Sequence, residues 1–348
     1  MHFHNTLIYW YLQNQRELPW RKTQNPYYVW LSEIMLQQTR VAQGLPYFLK
    51  FKEAFPTVFD LANAEESMVL KLWQGLGYYS RARNLHFTAK YIANDLNGEF
   101  PSSYKELLKL KGVGDYTASA IASICFNEPA AVVDGNVYRV LSRYFGIKTP
   151  INSSTGIKEF KILAQTLIDL TQPGTYNQAI MDFGALHCKP QNPLCNKCPF
   201  SSSCVAFEKG LVNDLPIKEM KLKVKKRFFN YLVINTWDEK TVLSQRTGKG
   251  IWQGLYQFPL IETDKAINEQ KLIASEKFQS LFLKEATISL FNQVDVVHKL
   301  SHQHLYTKFW IVKTPEVEIK TIPWNEVDKH PVPVLIDKFL DAFLNKKK

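Results

Sequence analysis

Four of the five cysteines of this chain fall within one short stretch, HCKPQNPLCNKCPFSSSC, which runs from His187 to Cys204. Cysteines this close together in a chain without a disulfide framework are typical of metal coordination. Zinc sites favour two Cys-x2-Cys pairs far apart in sequence. Here one pair is central and the outer cysteines stand singly, which favours an iron–sulfur cluster and leaves zinc as the alternative. The predicted metal ligands are Cys188, Cys195, Cys198 and Cys204.

The composition indicates a folded, basic protein. With 45% hydrophobic residues, the 348-residue chain can bury the cores of about two domains. A net charge of +11 favours a polyanionic partner, with nucleic acid ahead of an anionic membrane. No run reaches the ~18 apolar residues of a membrane span, and the first residues, MHFHNTLIYWYLQNQ, lack the features of a signal peptide. Because the bunched cysteines argue against disulfides, we expect a protein of the reducing cytoplasm.

The hydrophobic pattern divides the chain into a helical part and a β-rich part. Apolar residues recur every three or four positions up to about residue 205, as in VWLSEIMLQQ and YTASAIASICF. Residues 218–227 carry six basic side chains and one acidic one, which indicates a solvated linker or a strap along DNA phosphates. Beyond them, FFNYLVINTW and LYTKFWIVKT are typical of strands. We predict an all-α domain over 1–213, a basic linker over 214–227 and a smaller α+β domain over 228–348.

The stretch YKELLKLKGVGDYTASAIASICF predicts a helix, a tight hairpin and a second helix. Gly112 and Gly114 supply conformational freedom there and leave backbone N–H groups bare at the start of the second helix, where a phosphate can bind. Twenty residues after Gly114 comes AVVDGNVYRVLSR. Its Asp134 either caps the helix that follows or stands as a carboxylate at the mouth of a cleft.

A second carboxylate, Glu33, lies in PYYVWLSEIMLQQTR among large apolar residues. Burial among them raises the pKa of a carboxyl group, which suits a general acid. The alternative is that Glu33 lies on the exposed side of an amphipathic helix. Two carboxylates in different environments, Glu33 and Asp134, suit the cleavage of a glycosidic bond, because one protonates the leaving group and the other supports the cationic sugar. An N-glycosidic bond to a nucleobase needs the same two groups.

Taken together and in order, these stretches resemble one family. LPWR, PYYVWLSEIMLQQTRV, LWQGLGYYSRARNL, LKGVGDYT, VVDGNVYRVLSR and the cysteine loop are similar to the adenine DNA glycosylases of the MutY type. These belong to the helix–hairpin–helix glycosylase superfamily and remove adenine mispaired with 8-oxoguanine or guanine. The resemblance implies an all-α glycosylase domain with an iron–sulfur loop over 187–204, followed by a smaller α+β Nudix-like domain.

The resemblance also implies roles for individual residues. Glu33 protonates the adenine N7 and later helps to activate water. Asp134 stabilises the sugar cation or its covalent adduct, and Asn136 helps to hold that arrangement. Tyr116 occupies the position at which the related endonuclease III carries its nucleophilic lysine, so a monofunctional glycosylase is expected. The residues that match positions around the extruded adenine are Trp20, Arg21, Leu36 and Gln178.

Further positions match contacts with duplex DNA. Gln38 and Tyr78 match residues that wedge into the duplex beside the lesion, although Tyr78 also suits a core position. The resemblance implies one [4Fe–4S] cluster in the cysteine loop, from which Lys189 and Lys197 meet phosphates. The expected partner is double-stranded DNA with an adenine opposite 8-oxoguanine or guanine, bound by a monomer.

The C-terminal stretch HKLSHQHL matches the loop that reads 8-oxoguanine, with Leu300, Ser301 and His302 in the reading positions. Many relatives have Phe where this chain has Leu300. Gly254, in GIWQGLYQFP, is expected at a tight backbone turn. Two other functions remain open from the sequence: an endonuclease III-like glycosylase and lyase for oxidised pyrimidines, and a non-catalytic iron–sulfur protein that binds DNA.

Overall fold

The computed structural model describes residues 3–219, 224–282 and 286–345. Contacts divide these residues into two compact units, one formed by 3–63 and 84–219 and the other by 64–83 with 224–345. The domain boundaries predicted from the sequence, at residues 213 and 228, place residues 64–83 in the first domain, whereas the structure groups them with the second unit. The first strand begins at Lys225, inside the stretch predicted to be a linker.

The N-terminal part of the chain is helical, as predicted. Its helices are α1 Phe3–Asn14, α2 Pro26–Leu36, α3 Val41–Ala54, α4 Val58–Asn63, α5 Glu66–Leu72, α6 Ser80–Asp95, α7 Tyr104–Leu107, α8 Asp115–Phe126, α9 Gly135–Phe145, α10 Ser154–Leu167, α11 Pro173–Asp182 and α12 Val205–Glu208. None of the helices in the described ranges is long and apolar enough to cross a membrane. The core of the first unit joins one face each of α1, α8, α9, α10 and α11.

Local sequence explains where the helices that carry the site begin. Helix α2 starts at Pro26, and Asn25 caps it by accepting a hydrogen bond from the Tyr27 N–H. Helix α9 starts after Asp134, whose side chain accepts from the N–H groups of Asn136 and Val137. Both carboxylate- and amide-bearing caps satisfy backbone donors that have no partner inside the helix.

The predicted helix–hairpin–helix is formed by α7, a tight turn and α8. Gly112 has φ +84°, and a Cβ atom there would come within 2.8 Å of the Asn84 Cβ. Gly114 is different, because it caps α8 with an extended backbone (φ −96°) that any residue adopts. The expectation that both glycines supply conformational freedom is therefore right for Gly112 and wrong for Gly114. A Cβ on Gly114 would meet no atom within 4 Å, so the space in front of it is open.

The second unit contains a mixed β-sheet and, as predicted, belongs to the α+β class. Its elements are β1 Lys225–Thr236, β2 Lys240–Thr241, β3 Ser244–Gln245, β4 Tyr256–Gln257, β5 Leu260–Thr263, α13 Glu269–Ile273, α14 Glu276–Gln279, β6 Thr287–Leu290, β7 Val296–Lys299, β8 Gln303–Thr314, β9 Ile322–Pro323 and α15 Val334–Asn345. Strand β1 pairs with β8 in parallel along its whole length and with β5 antiparallel. Strand β8 also pairs antiparallel with β6 and β7.

Candidate active site

Glu33 is buried in α2, with 7% of its surface exposed. Burial raises the pKa of its carboxyl group, and the negative Asp134 adds to the rise; a hydrogen bond with Tyr116 and the positive charge of Arg21 oppose it. The alternative of an exposed, solvated Glu33 is therefore wrong. A carboxyl group in this setting holds its proton to a higher pH than an ordinary glutamate, as a general acid requires.

Asp134 both caps a helix and faces the same cavity as Glu33, so the two interpretations of this residue are compatible. One carboxylate oxygen accepts from the N–H groups of Asn136 (2.9 Å) and Val137 (2.8 Å), and the other accepts from the Asn136 Nδ2 (2.8 Å). Burial raises the pKa of Asp134, while these hydrogen bonds and Arg139 lower it. Three hydrogen bonds leave the carboxylate little freedom to turn.

Glu33 and Asp134 line one cavity of about 480 Å³. The side chains matched to an extruded adenine line it too: Trp20, Arg21, Leu36 and Gln178. Tyr116 and Asn136 also face it. Its volume falls within the ~300–1,000 Å³ that is usual for sites of small ligands.

Tyr116 interacts with both carboxylates. Its hydroxyl group hydrogen-bonds Glu33 and is 3.1 Å from the Met181 Sδ. Burial, then the negative charges of Glu33 and Asp134, raise its pKa well above the usual tyrosine value. The hydroxyl group therefore stays protonated and acts as a hydrogen-bond donor rather than as a nucleophile.

Arg21 is held by Asp182, an acid that the sequence-based prediction of the site does not include. Asp182, fully buried in α11, accepts from the Arg21 Nη1 (2.7 Å) and Nη2 (2.9 Å), and it also pairs with Arg16. The Tyr11 hydroxyl accepts from the Arg21 Nη1 and donates to the Gln178 Oε1 at 2.7 Å. The signal was present in YNQAIMDFGAL, since an acid in an apolar stretch needs a partner, but nothing in the sequence shows a partner about 160 positions away.

Arg139 is a second missed residue. Its Nη2 donates to the Asn136 Oδ1 (2.9 Å) and to the Gly184 carbonyl (2.7 Å), while its Nε donates to the Cys188 carbonyl (2.7 Å). The guanidinium group thus connects the turn that bears Asp134 with the backbone of the first cysteine. Burial lowers the pKa of Arg139 from its ordinary value.

Comparison with known proteins agrees with this arrangement. Residues 31–164 match the HhH-GPD superfamily of base excision DNA repair proteins, and residues 230–342 match a NUDIX domain. The chain is 36% identical to adenine DNA glycosylase of Buchnera aphidicola (subsp. Baizongia pistaciae), with 89% of this chain and 86% of that protein covered. It is 32% identical to adenine DNA glycosylase of Homo sapiens, with 92% and 69% covered.

The chain belongs to the adenine DNA glycosylase family. This membership and the fold class agree with what the sequence predicts. A solved thymine-DNA glycosylase is 33% identical with a TM-score of 0.55, and an endonuclease III bound to DNA is 25% identical with a TM-score of 0.52. Each of these structures covers 60% of this chain, whereas the adenine DNA glycosylases match most of it.

The four predicted metal ligands lie in one region of the first unit. Cys188, Cys195, Cys198 and Cys204 line one small cavity together with apolar side chains. The Arg143 Nη1 is 3.5 Å from the Cys188 Sγ and donates to the Lys189 carbonyl at 2.7 Å. Burial raises the pKa of Cys198 to about 11, and that of Cys195 and Cys204 also rises. A metal that binds here must displace these thiol protons.

Four cysteine thiols are a donor set that fits an iron–sulfur cluster. Within the parts of the chain that the structure describes, no three Cys, His, Asp or Glu side chains converge as ligands of one metal ion. Cysteine thiolates are the usual ligands of iron–sulfur clusters, and a cubane cluster distributes its four ligands over four iron atoms. Lys189 is half-buried and Lys197 is exposed at the surface of this loop.

Each of the two predicted wedge residues lies on a tight turn of its own unit. Gln38, just after α2, has φ +55° and is exposed. Tyr78 has φ +50° and a half-exposed ring, so its placement in the core is excluded. A positive φ is uncommon for residues other than glycine and is found at turns that present a side chain for function.

Within the second unit, Tyr78 and the predicted lesion-reading loop line one cavity of about 660 Å³. Leu300, Ser301 and His302 form the turn between β7 and β8, which is closed by a hydrogen bond from the Leu300 N–H to the Gln303 carbonyl (2.8 Å). Gly254 has φ +83°, in agreement with the expected tight turn.

Proposed function

We propose that this protein removes adenine mispaired with 8-oxoguanine or guanine, by hydrolysing the N-glycosidic bond after the adenine is flipped out of the duplex. The observation that carries this proposal is the shared cavity of Glu33 and Asp134, which is large enough to admit a base and contains a carboxyl group with a raised pKa. Base flipping is required because the bond is inaccessible inside a stacked duplex.

In the proposed mechanism, Glu33 protonates the adenine N7, so that the base leaves as a neutral molecule. Positive charge then develops on the sugar, and Asp134, held by its hydrogen bonds from Asn136 and Val137, faces it as a carboxylate. The approaching cation lowers the pKa of Asp134 and keeps it ionised. Glu33, having given up its proton, accepts one from the attacking water.

The wall of the cavity supports adenine as the base and hydrolysis as the outcome. Gln178 and Arg21 offer polar groups to a purine edge, while Trp20 and Leu36 offer apolar surface. The residues that line the cavity include four arginines but no lysine. Schiff-base chemistry needs an amine, so we expect a monofunctional glycosylase without lyase activity.

We further propose that the four cysteines hold one [4Fe–4S] cluster. Bound there, the cluster cross-links the loop and thereby stabilises its fold. The chain's own contribution is to direct Lys189 and Lys197 toward DNA phosphates from a loop fastened to α9 through Arg143. Leu300, Ser301 and His302 are proposed to read 8-oxoguanine, while Gln38 and Tyr78 enter the duplex beside the mispair. A monomer in the cytoplasm remains our expectation.

The direct test offers the purified protein three duplexes, with adenine opposite 8-oxoguanine, adenine opposite guanine, or thymine glycol opposite adenine. The released base is identified by mass spectrometry, and strand cleavage is followed with and without alkali. We expect free adenine from the first two duplexes and strand breaks only after alkali. Release of thymine glycol with spontaneous strand cleavage would instead show an endonuclease III-like enzyme.

A further inference from the structure

Asp134 stands at the end of an extended segment, Pro129–Asp134, that is held by side chains rather than by a sheet. Gln165 accepts from the Ala131 N–H (3.0 Å) and donates to the Pro129 carbonyl (2.6 Å). Asn177 accepts from the Val132 N–H (3.1 Å) and donates to the Ala130 carbonyl (2.8 Å). Side chains of α10 and α11 thus set the path by which the chain reaches Asp134.

Lys161, on α10, donates to a third carbonyl of this segment. Its Nζ donates to the Ala131 carbonyl (2.9 Å), the Ser119 Oγ (3.1 Å) and the Asp115 Oδ2 (2.9 Å). Three acceptors match the three N–H bonds of an ammonium group, so the charge is fully paired. The Lys161 side chain is 29% exposed, and its Nζ lies 5.3 Å from the centre of the Tyr104 ring.

Two of these acceptors belong to the hairpin helix. Asp115 is the first residue of α8, directly after the Gly114 cap where the space in front of the backbone is open, and Ser119 is fully buried one turn later. Asp115 also accepts a hydrogen bond from the Tyr104 hydroxyl, so both of its oxygens are held. An acid in the first turn stabilises a helix, because its negative charge interacts favourably with the helix dipole. Beside a bound phosphate, however, an unpaired carboxylate would repel the ligand.

Asn177 forms a parallel connection. Besides its bonds to the extended segment, its Nδ2 donates to the Ser123 Oγ (2.8 Å), four residues after Ser119 on the same face of α8. Helix α8, which begins at the hairpin, is therefore connected to the segment of Asp134 at two points along its length, through Lys161 and through Asn177. Because Asn177 is fully buried and Lys161 is not, Lys161 can be changed with less risk to folding.

We propose that Lys161 is a positioning residue: it ties the phosphate-binding hairpin helix to the segment that carries Asp134 and neutralises Asp115 beside the bound phosphate. Phosphate binding at the hairpin and placement of the Asp134 carboxylate are then parts of one rigid arrangement. This inference rests on the proposed function in that Asp134 must act on the sugar. Lys161 touches neither the base nor the sugar in this arrangement.

The test measures single-turnover adenine excision at saturating protein, together with the Kd for a duplex that carries a non-hydrolysable adenine analogue. Lys161→Met is compared with Lys161→Arg and with Lys158→Met, an exposed lysine on the same helix. We expect Lys161→Met to lower the excision rate about tenfold or more, as a small misplacement of a reacting group does. Lys161→Arg should recover most of the rate, and Lys158→Met should match the unaltered protein.

The charge on Asp115 gives a second readout. In the Lys161→Met protein, the unpaired carboxylate should weaken duplex binding, and the added change Asp115→Asn should restore binding but not the excision rate. A Lys161→Met protein that is folded by circular dichroism and excises adenine at the unaltered rate would overturn the proposal. So would equal losses in Lys161→Met and Lys161→Arg. If the unaltered protein itself releases no adenine, the proposed function is wrong. That failure is distinct from a failure of the Lys161 proposal, which is judged from the variants relative to an active unaltered protein.

Discussion

At the scale of single residues, a buried carboxylate is unfavourable for folding unless it is well compensated. Glu33 illustrates this, because burial raises its pKa above the value of about 4.5 in an unfolded chain. The folded state therefore binds this proton more tightly than the unfolded state. The stability that Glu33 contributes is fully present below about pH 4.5 and is lost as the pH rises through the higher folded pKa.

It follows that Glu33→Gln should stabilise the protein at neutral pH. We expect the free energy of unfolding at pH 7 to rise on the order of 1 kcal/mol, and the gain to shrink toward pH 4.5. Thermal unfolding at the two pH values measures this, with the exposed Glu53→Gln as the control. A Glu33→Gln protein that is less stable than the unaltered protein at pH 7 would contradict the burial argument.

Single residues also show how far the sequence leads. Glu33 and Asp134 could be selected as candidate residues because each lies in a short stretch with unusual neighbours. Asp182, Arg139 and Lys161 could not be predicted, because their importance comes from partners that are distant in sequence: Arg21, the Cys188 carbonyl and the Ala131 carbonyl. A sequence pattern shows that a polar residue needs a partner but not which one it has.

At the scale of elements, the two glycines of the hairpin should differ in their effect when each is replaced by alanine: Gly114 matters for DNA binding and Gly112 for stability. Gly114→Ala should leave the melting temperature unchanged, because its backbone is extended and its surroundings are open. It should nevertheless weaken binding of undamaged duplex by about threefold or more, since the added methyl group stands where a phosphate approaches the bare N–H groups.

Gly112→Ala provides the contrast. With φ +84° and Asn84 within 2.8 Å of the added Cβ, it should lower the free energy of unfolding by about 1 kcal/mol or more. Calorimetry of both variants measures the change in stability, and filter binding measures the change in affinity for duplex. A Gly114→Ala protein that binds duplex normally would show that the hairpin does not approach DNA at this point.

Arg139, on α9, connects the turn that bears Asp134 with the cysteine loop. Arg139→Met leaves the buried Gly184 carbonyl and the partly buried Cys188 carbonyl without their donor, so we expect the free energy of unfolding to fall by about 2–4 kcal/mol. Adenine excision at a temperature where the variant is folded should also fall, because Asn136 loses its support. Lys148→Met, an exposed change just after α9, is the control. Equal stability and activity in the two variants would exclude a connecting role for Arg139.

At the scale of the whole molecule, the sequence predicts an all-α part followed by an α+β part, and both are confirmed. It does not predict that residues 64–83 belong to the second unit. Their helical pattern resembles that of their neighbours. Long-range hydrogen bonds fix their place: the Gln74 side chain donates to Asp337 and accepts from the Val332 N–H. Hydrophobic periodicity reports which face is buried but not which partner buries it.

The division into two units predicts separable functions. Ser301→Ala combined with His302→Ala should reduce the preference for adenine opposite 8-oxoguanine over adenine opposite guanine by about tenfold, which corresponds to the loss of one or two hydrogen bonds. Excision opposite guanine should change little, since Glu33 and Asp134 are untouched. Single-turnover rates on the two duplexes measure the ratio, with Ser289→Ala on β6 as the control. An unchanged ratio would refute lesion reading by this turn.

The central claim is that Glu33 drives the departure of adenine from a cavity that it shares with Asp134. The most direct measurement is single-turnover release of adenine opposite 8-oxoguanine by Glu33→Gln, alongside its Kd for the same duplex. The variant keeps the size and hydrogen-bonding shape of the side chain but cannot donate an acidic proton. We predict duplex binding within about threefold of the unaltered protein and no detectable adenine release, a loss of ~10² or more. Near-normal release by a folded Glu33→Gln protein would contradict this account of the active site.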